Sequence, residues 1–123
     1  MTFTKLIPNV FYTDIKVGLN LFVDCLGFEN VYDTFGTNEA PFCILSKDNL
    51  TIHVHENEEY ALKDRPELRM ETDDINAVYA SIKERHPELL HPNGKVVTLK
   101  PWNVYEFALL DASGVCVIIY QRP

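Results

Sequence analysis

Short apolar-rich runs at residues 6–12, 28–34, 41–46 and 50–55 read as strands, and the last of them alternates apolar and polar with the period of two of a half-buried strand. Pro8 in the first of these suits an edge or entry position. Between the first two runs, Ile15, Leu19, Phe22 and Leu26 recur at spacings of four, three and four, which puts them on one helical face. Thr13 and Asp14 offer oxygens to cap that helix, and Gly27 suits the left-handed position that stops it. Lys47-Asp48-Asn49 forms the turn between the third and fourth strands.

The same order returns in the second half. Residues 67–72 read as a strand and Asp73-Asp74 as a cap, followed by Ile75, Val78, Tyr79 and Ile82 as a second amphipathic helix. His86-Pro87 ends it, because a residue before proline is pushed out of the helical region. Strands are expected at residues 95–99, 105–110 and 115–121, with a turn at Pro92-Asn93-Gly94 and a hairpin at Asp111-Ala112-Ser113-Gly114. The fold class is therefore α+β, with a βαβββ order written twice. The helix caps are offset by 60 residues, Asp14 to Asp74, and the last strands by 65, Asn49 to Gly114. Few residues are identical between the halves, so the repeat is one of pattern. The module boundary falls near residue 60 within a single domain of residues 1–123, and the acidic stretch Glu56-Asn57-Glu58-Glu59 reads as the start of a solvated linker.

Apolar residues make up 46% of the chain and charged ones 24%, an ordinary globular balance. No apolar run approaches the ~20 residues that a membrane helix needs, and no secretory signal is expected at the opening residues. Eighteen acidic against eleven basic residues give a formal charge of −7, which disfavours a nucleic-acid partner. Cys25, Cys43 and Cys116 are odd in number and far apart in apolar runs, so they read as reduced core residues of a cytoplasmic protein.

Ile7-Pro8-Asn9-Val10-Phe11-Tyr12-Thr13-Asp14-Ile15 and Leu21-Phe22-Val23-Asp24-Cys25-Leu26-Gly27-Phe28 resemble the opening of vicinal oxygen chelate proteins. That superfamily holds the glyoxalases, extradiol dioxygenases, and fosfomycin- and bleomycin-resistance proteins. Lys100-Pro101-Trp102-Asn103-Val104-Tyr105-Glu106-Phe107, followed by Asp111-Ala112-Ser113-Gly114, resembles its last hairpin. The resemblance covers nearly the whole chain and implies two βαβββ modules whose curved sheets surround a cup. One scaffold of this kind carries many chemistries. Alternation then sorts the side chains. Ile52, Val54, Leu68, Met70, Val117 and Ile119 face the helices, while Thr51, His53, His55, Glu67, Arg69, Glu71, Cys116, Ile118 and Tyr120 face the cup.

Metal-using members of the superfamily ligate a divalent ion from their first, fourth, fifth and last strands. The matching positions here are Ile7, His53, Glu67 and Ile118, and an isoleucine has no lone pair to give. A catalytic ion ordinarily takes at least three protein ligands, so no metal or other cofactor is expected. His53 and Glu67, with His55 beside them, remain the fallback set.

The resemblance points to the metal-free bleomycin-resistance branch. It implies a protein that binds or sequesters an aromatic or cationic small molecule, using Phe11, His53, His55, Glu67, Arg69, Trp102, Glu106, Phe107 and Tyr120. The alternative is a metal-dependent lyase, isomerase or dioxygenase with a displaced site at His53 and Glu67. Glu67, Glu71, Glu106, His53 or His55 would then be candidate bases. With short loops and open sheet edges, the chain is expected to form a two-fold homodimer, first-module residues such as Phe11 and His53 facing Glu67, Trp102 and Tyr120 of the partner. Sedimentation at micromolar concentration should give twice the 14.2 kDa chain mass; a monomer contradicts the expectation.

Overall fold

In the computed structural model, which describes residues 1–123, the strands β1 (Asn9–Tyr12), β2 (Glu29–Asp33), β3 (Phe42–Lys47) and β4 (Leu50–Glu56) form one sheet in the order β1-β4-β3-β2. β1 and β4 run parallel and the other neighbours antiparallel. The helix α1 (Ile15–Leu19) covers one face and continues as a π-helical turn over Asn20–Cys25. Val10, Tyr12, Ile15, Leu21, Phe22, Cys25, Cys43, Leu45, Ile52 and Val54 are buried there. Of the expected helical face Ile15 and Phe22 are in the core, while Leu19 and Leu26 are half-buried and the wider π-helical turn brings in Leu21 and Cys25 instead. Each such aliphatic or aromatic side chain contributes about 1.5–3 kcal/mol when removed from water.

The helix is not regular α throughout. The Leu26 N–H donates to the Leu21 carbonyl at 3.0 Å, a wide i to i−5 bond. Gly27 then takes φ +79° as expected, and the Phe28 N–H closes the end on the Phe22 carbonyl at 2.8 Å. β1 is shorter than its sequence run, beginning only after Pro8, which has no N–H to give; its carbonyl still accepts from the His53 N–H at 3.1 Å.

The linker is the main correction. Residues 56–59 do not begin a loop: Asn57 caps a helix, α2 (Glu58–Lys63), by accepting the Tyr60 N–H at 3.1 Å. Glu58 and Glu59 fall in its first turn and Lys63 in its last, the charge order that a helix dipole favours.

The second unit repeats the plan with β5 (Glu67–Glu71), α3 (Ile75–Arg85), β6 (Thr98–Leu99), β7 (Tyr105–Leu110) and β8 (Cys116–Gln121). Its sheet order is β5-β8-β7-β6, with β5 and β8 parallel. The two compact units are Met1–Asp64 and Arg65–Pro123. β6 keeps only two of the five expected residues, since the Lys95 carbonyl accepts from the Tyr79 hydroxyl at 2.8 Å and is held on the helix side.

Both units hold the helix start in one way. The Ile15 N–H, at the first turn of α1, donates to Glu56 Oε2 at 3.0 Å. The Ile75 N–H, at the first turn of α3, donates to Gln121 Oε1 at 2.8 Å. Asp14 and Asp74 cap the next orphan donors, Lys16 N–H at 3.0 Å and Ala77 N–H at 3.1 Å. No helix is long and apolar enough to cross a membrane.

Candidate functional site

In the second unit, alternation along three neighbouring strands brings the chemistry to the face opposite α3. Glu67, Arg69 and Glu71 stand on β5, Cys116, Ile118 and Tyr120 on β8, and Glu106 and Ala108 on β7. The register pairs Arg69 with Ile118 and Glu106 with Tyr120. Arg69 therefore has to reach across β8 to meet a carboxylate on β7. Its Nη2 donates to Glu106 Oε2 at 3.0 Å, and its guanidinium carbon lies 4.7 Å from the centre of the Tyr120 ring on the way. The Glu106 side chain is only 8% exposed against 40% for Arg69. A desolvated carboxylate stays charged only with a partner of this kind.

The same oxygen accepts a second donor, Trp102 Nε1 at 3.4 Å. Trp102 is nonetheless 60% exposed, at the tip of the β6–β7 turn, where Asn103 adopts φ +64° and the Asn103 N–H donates to the Lys100 carbonyl at 2.9 Å. A large aromatic ring is thus kept in solvent while its N–H is tied to a buried group.

Beside this arrangement lies a cleft of about 220 Å³ bordered by Glu67, His91, Asn93, Lys100, Glu106 and Ile118, among others. The wall at residues 91–94 is knitted to β7: His91 N–H donates to the Ala108 carbonyl at 2.9 Å, and Ala108 N–H to the Gly94 carbonyl at 2.9 Å. Glycine is needed there, since a Cβ on residue 94 would come 3.1 Å from the Ala108 Cβ. His91 Nδ1 accepts the Asn93 N–H at 3.0 Å, so in the neutral ring the proton sits on Nε2. Cys116, read from its apolar run as a core thiol and from alternation as facing the cup, is half-buried and borders the cleft, as alternation has it. Burial, with the Glu67 carboxylate adding to it, pushes its thiol up, so it stays protonated and a poor nucleophile.

Phe107 departs from its expected place. It borders the cleft, but its ring belongs to the helix side of β7, 1% exposed and edge-on to Tyr79 at 5.2 Å. Its neighbour Glu106 is the side chain that alternation turns the other way. Glu71, third on the β5 face, is paired with Arg122, which leaves Glu67 as the β5 carboxylate without an ion pair.

The first unit carries a different surface. Across β1, β4 and β3 the register lines up Phe11, His55 and Phe42. His55 stacks on Phe11 at 4.9 Å and 27° and meets Phe42 at 4.8 Å, while Phe42 also meets His53 edge-on at 5.4 Å. Tyr60, brought in by α2, covers Phe11 at 5.1 Å. His55 Nε2 donates to Asn9 Oδ1 at 2.9 Å. Burial, with His53 close by, holds the His55 imidazole below its ordinary range, so it is an uncharged member of an aromatic cluster. Sequence reasoning missed Tyr60 and Phe42 here and His91, Asn93 and Lys100 in the second unit. Asn57 followed by two glutamates is a helix-start signal that would have found Tyr60; the others become neighbours only through strand register.

The fold has counterparts among solved structures. A bleomycin-binding protein complexed with bleomycin superposes with a TM-score of 0.73 over 98% of this chain and 100% of its own, at 20% identity. The chain has the glyoxalase/bleomycin-resistance fold. A bleomycin-binding protein from bleomycin-producing Streptomyces verticillus, complexed with copper(II)-bleomycin, has this fold too: TM-score 0.69, 22% identity, 100% and 98% coverage. So does a glyoxalase/bleomycin resistance protein from Catenulispora acidiphila: TM-score 0.72, 18% identity, 96% and 97% coverage. Neither a protein-family model nor a curated protein matches the sequence.

In this fold the metal-ligand positions carried over from the superfamily do not make a donor set. Ile118 presents a branched alkyl group to the cleft. In the first unit Phe42 packs against both imidazoles, and no group of three or more His, Cys, Asp or Glu is placed to hold an ion. The residues present do not fit a catalytic metal.

Glu106 sets the energetics of the cleft. Arg69→Ala should destabilise the protein by about 1–3 kcal/mol in urea unfolding, by leaving a buried carboxylate without its cation. Replacing both partners, Arg69→Met with Glu106→Leu, should cost less than the single change. A double variant that is less stable than Arg69→Ala contradicts this reading.

Proposed function

We propose that the protein binds or sequesters a small planar aromatic molecule in the cleft of its second unit, without a metal ion. The observation that carries this reading is Trp102, an exposed ring whose indole N–H donates at 3.4 Å to the buried carboxylate of Glu106, a residue that borders the cleft. Folding gains little from such a residue, whereas a ligand gains a preformed stacking surface. The solved structures of bleomycin-binding proteins with the same fold support small-molecule binding. The cleft, at about 220 Å³, is smaller than the ~300–1,000 Å³ that encloses a drug-sized ligand. It suits one or two fused rings, or one planar portion of something larger.

Of the two ligand types that the sequence raised, the aromatic one is carried forward. The cationic one rested on the acidic balance of the chain and on carboxylates beside aromatic walls, and of those carboxylates Glu106 is already matched by Arg69. Trp102 is the chain's single tryptophan, so its fluorescence reports binding directly. Planar aromatic probes should change that emission saturably in the presence of EDTA. Trp102→Ala, followed by thermal shift, should weaken binding about 2- to 13-fold, as expected for loss of ~0.5–1.5 kcal/mol of stacking. Binding that disappears in EDTA and returns with Zn²⁺, Ni²⁺ or Fe²⁺ would instead favour the metal-dependent enzyme at His53 and Glu67.

A further inference from the structure

Resting on the small-molecule reading above, we infer that the cleft selects an uncharged planar ligand bearing a carboxamide-type edge, through the Arg69–Glu106 pair acting as a joint donor and acceptor. The charges on this face cancel. Arg69 faces Glu106 and Arg122 faces Glu71, while Glu67 and Lys100, both bordering the cleft, carry opposite signs and no ion-pair partner. Glu67 and Lys100 would offer either ion one opposite charge and one like charge, so a cation or an anion entering the cleft loses hydration with no net opposite charge to offset that loss. A neutral ligand does not bear that loss.

What remains open on the pair is hydrogen-bonding capacity. Both donors to Glu106 converge on Oε2, from Arg69 at 3.0 Å and Trp102 at 3.4 Å, and Oε1 takes part in no hydrogen bond. Arg69 commits one of its five N–H groups to Glu106 and is 40% exposed. One carboxylate oxygen and one guanidinium edge therefore stand next to each other, pre-oriented by their own pairing and by the Tyr120 ring. A primary amide or lactam answers such an edge, its carbonyl accepting from Arg69 and its N–H donating to Glu106 Oε1. Its ring lies against Trp102.

Three probes share one ring system and differ in charge: 2-naphthamide, 2-naphthoate and 2-naphthylmethylammonium, followed by Trp102 emission. In the intact protein 2-naphthamide should bind at least tenfold tighter than either ion. Neutralising one partner should swing the preference in opposite directions. Arg69→Gln uncovers the Glu106 charge and should favour the ammonium probe, while Glu106→Gln uncovers Arg69 and should favour 2-naphthoate. The double variant Arg69→Gln with Glu106→Gln retains a donor and an acceptor without charge, guards against misfolding of either single change, and should again prefer the amide. An ion that binds the intact protein as tightly as the amide, or single variants that leave the order unchanged, overturns the inference while leaving small-molecule binding standing. If none of the three probes alters the emission of the intact protein, the inference and the aromatic reading of the cleft fall together.

Discussion

A carboxylate that folding removes from water must find its counter-charge where it stands, and Glu106 meets that demand in the second unit. Its partner comes from the next strand but one, so β5, β8 and β7 have to be in register for the contact to form. The long Arg69 side chain spans the strand between, with Tyr120 as its support. Once made, the pair does two other things: it holds an acceptor for the Trp102 indole N–H, at 3.4 Å, and it leaves no net charge at Glu106. An aromatic surface and a compensated polar edge follow from satisfying one buried group.

The two units solve a second problem identically with different residues. A helix that starts directly after an edge strand leaves its first N–H groups without partners. In each unit the Asp cap satisfies one, and a side chain at the end of the parallel partner strand satisfies another: Glu56 for Ile15 and Gln121 for Ile75. A carboxylate and an amide both present an acceptor oxygen there, so the job is kept while the residue changes. This is why the halves share a pattern and few identities.

Much of the architecture was legible because it rests on short-range rules. Period-two alternation placed Ile52, Val54, Val117 and Ile119 in the core, all of them buried, and the caps at Asp14 and Asp74 started both helices. Helix α2 was obscured because three acids in four residues read as solvent, although Asn57 among them was the cap that starts the helix. Phe107 was misassigned because aromaticity was weighed over alternation, which sends its ring to Tyr79. The Arg69–Glu106 bond spans 37 residues of sequence and depends on the register of three strands, as does the seating of His91 against Ala108. No local pattern encodes such contacts; they exist only once the sheet is assembled.

The central claim is that the face of the second unit holding Trp102, Glu106 and Arg69 is where a planar ligand sits. Amide and indole N–H chemical shifts of isotope-labelled protein, followed during titration with 2-naphthamide, test it most directly. The account predicts that the Trp102 indole N–H moves furthest, with the amides of Gly94, Glu106, Ala108 and Ile118 moving alongside it and those of α3 unchanged. An indole resonance that stays in place while the shifts gather on the Phe11–His55–Phe42 surface of the first unit would contradict it.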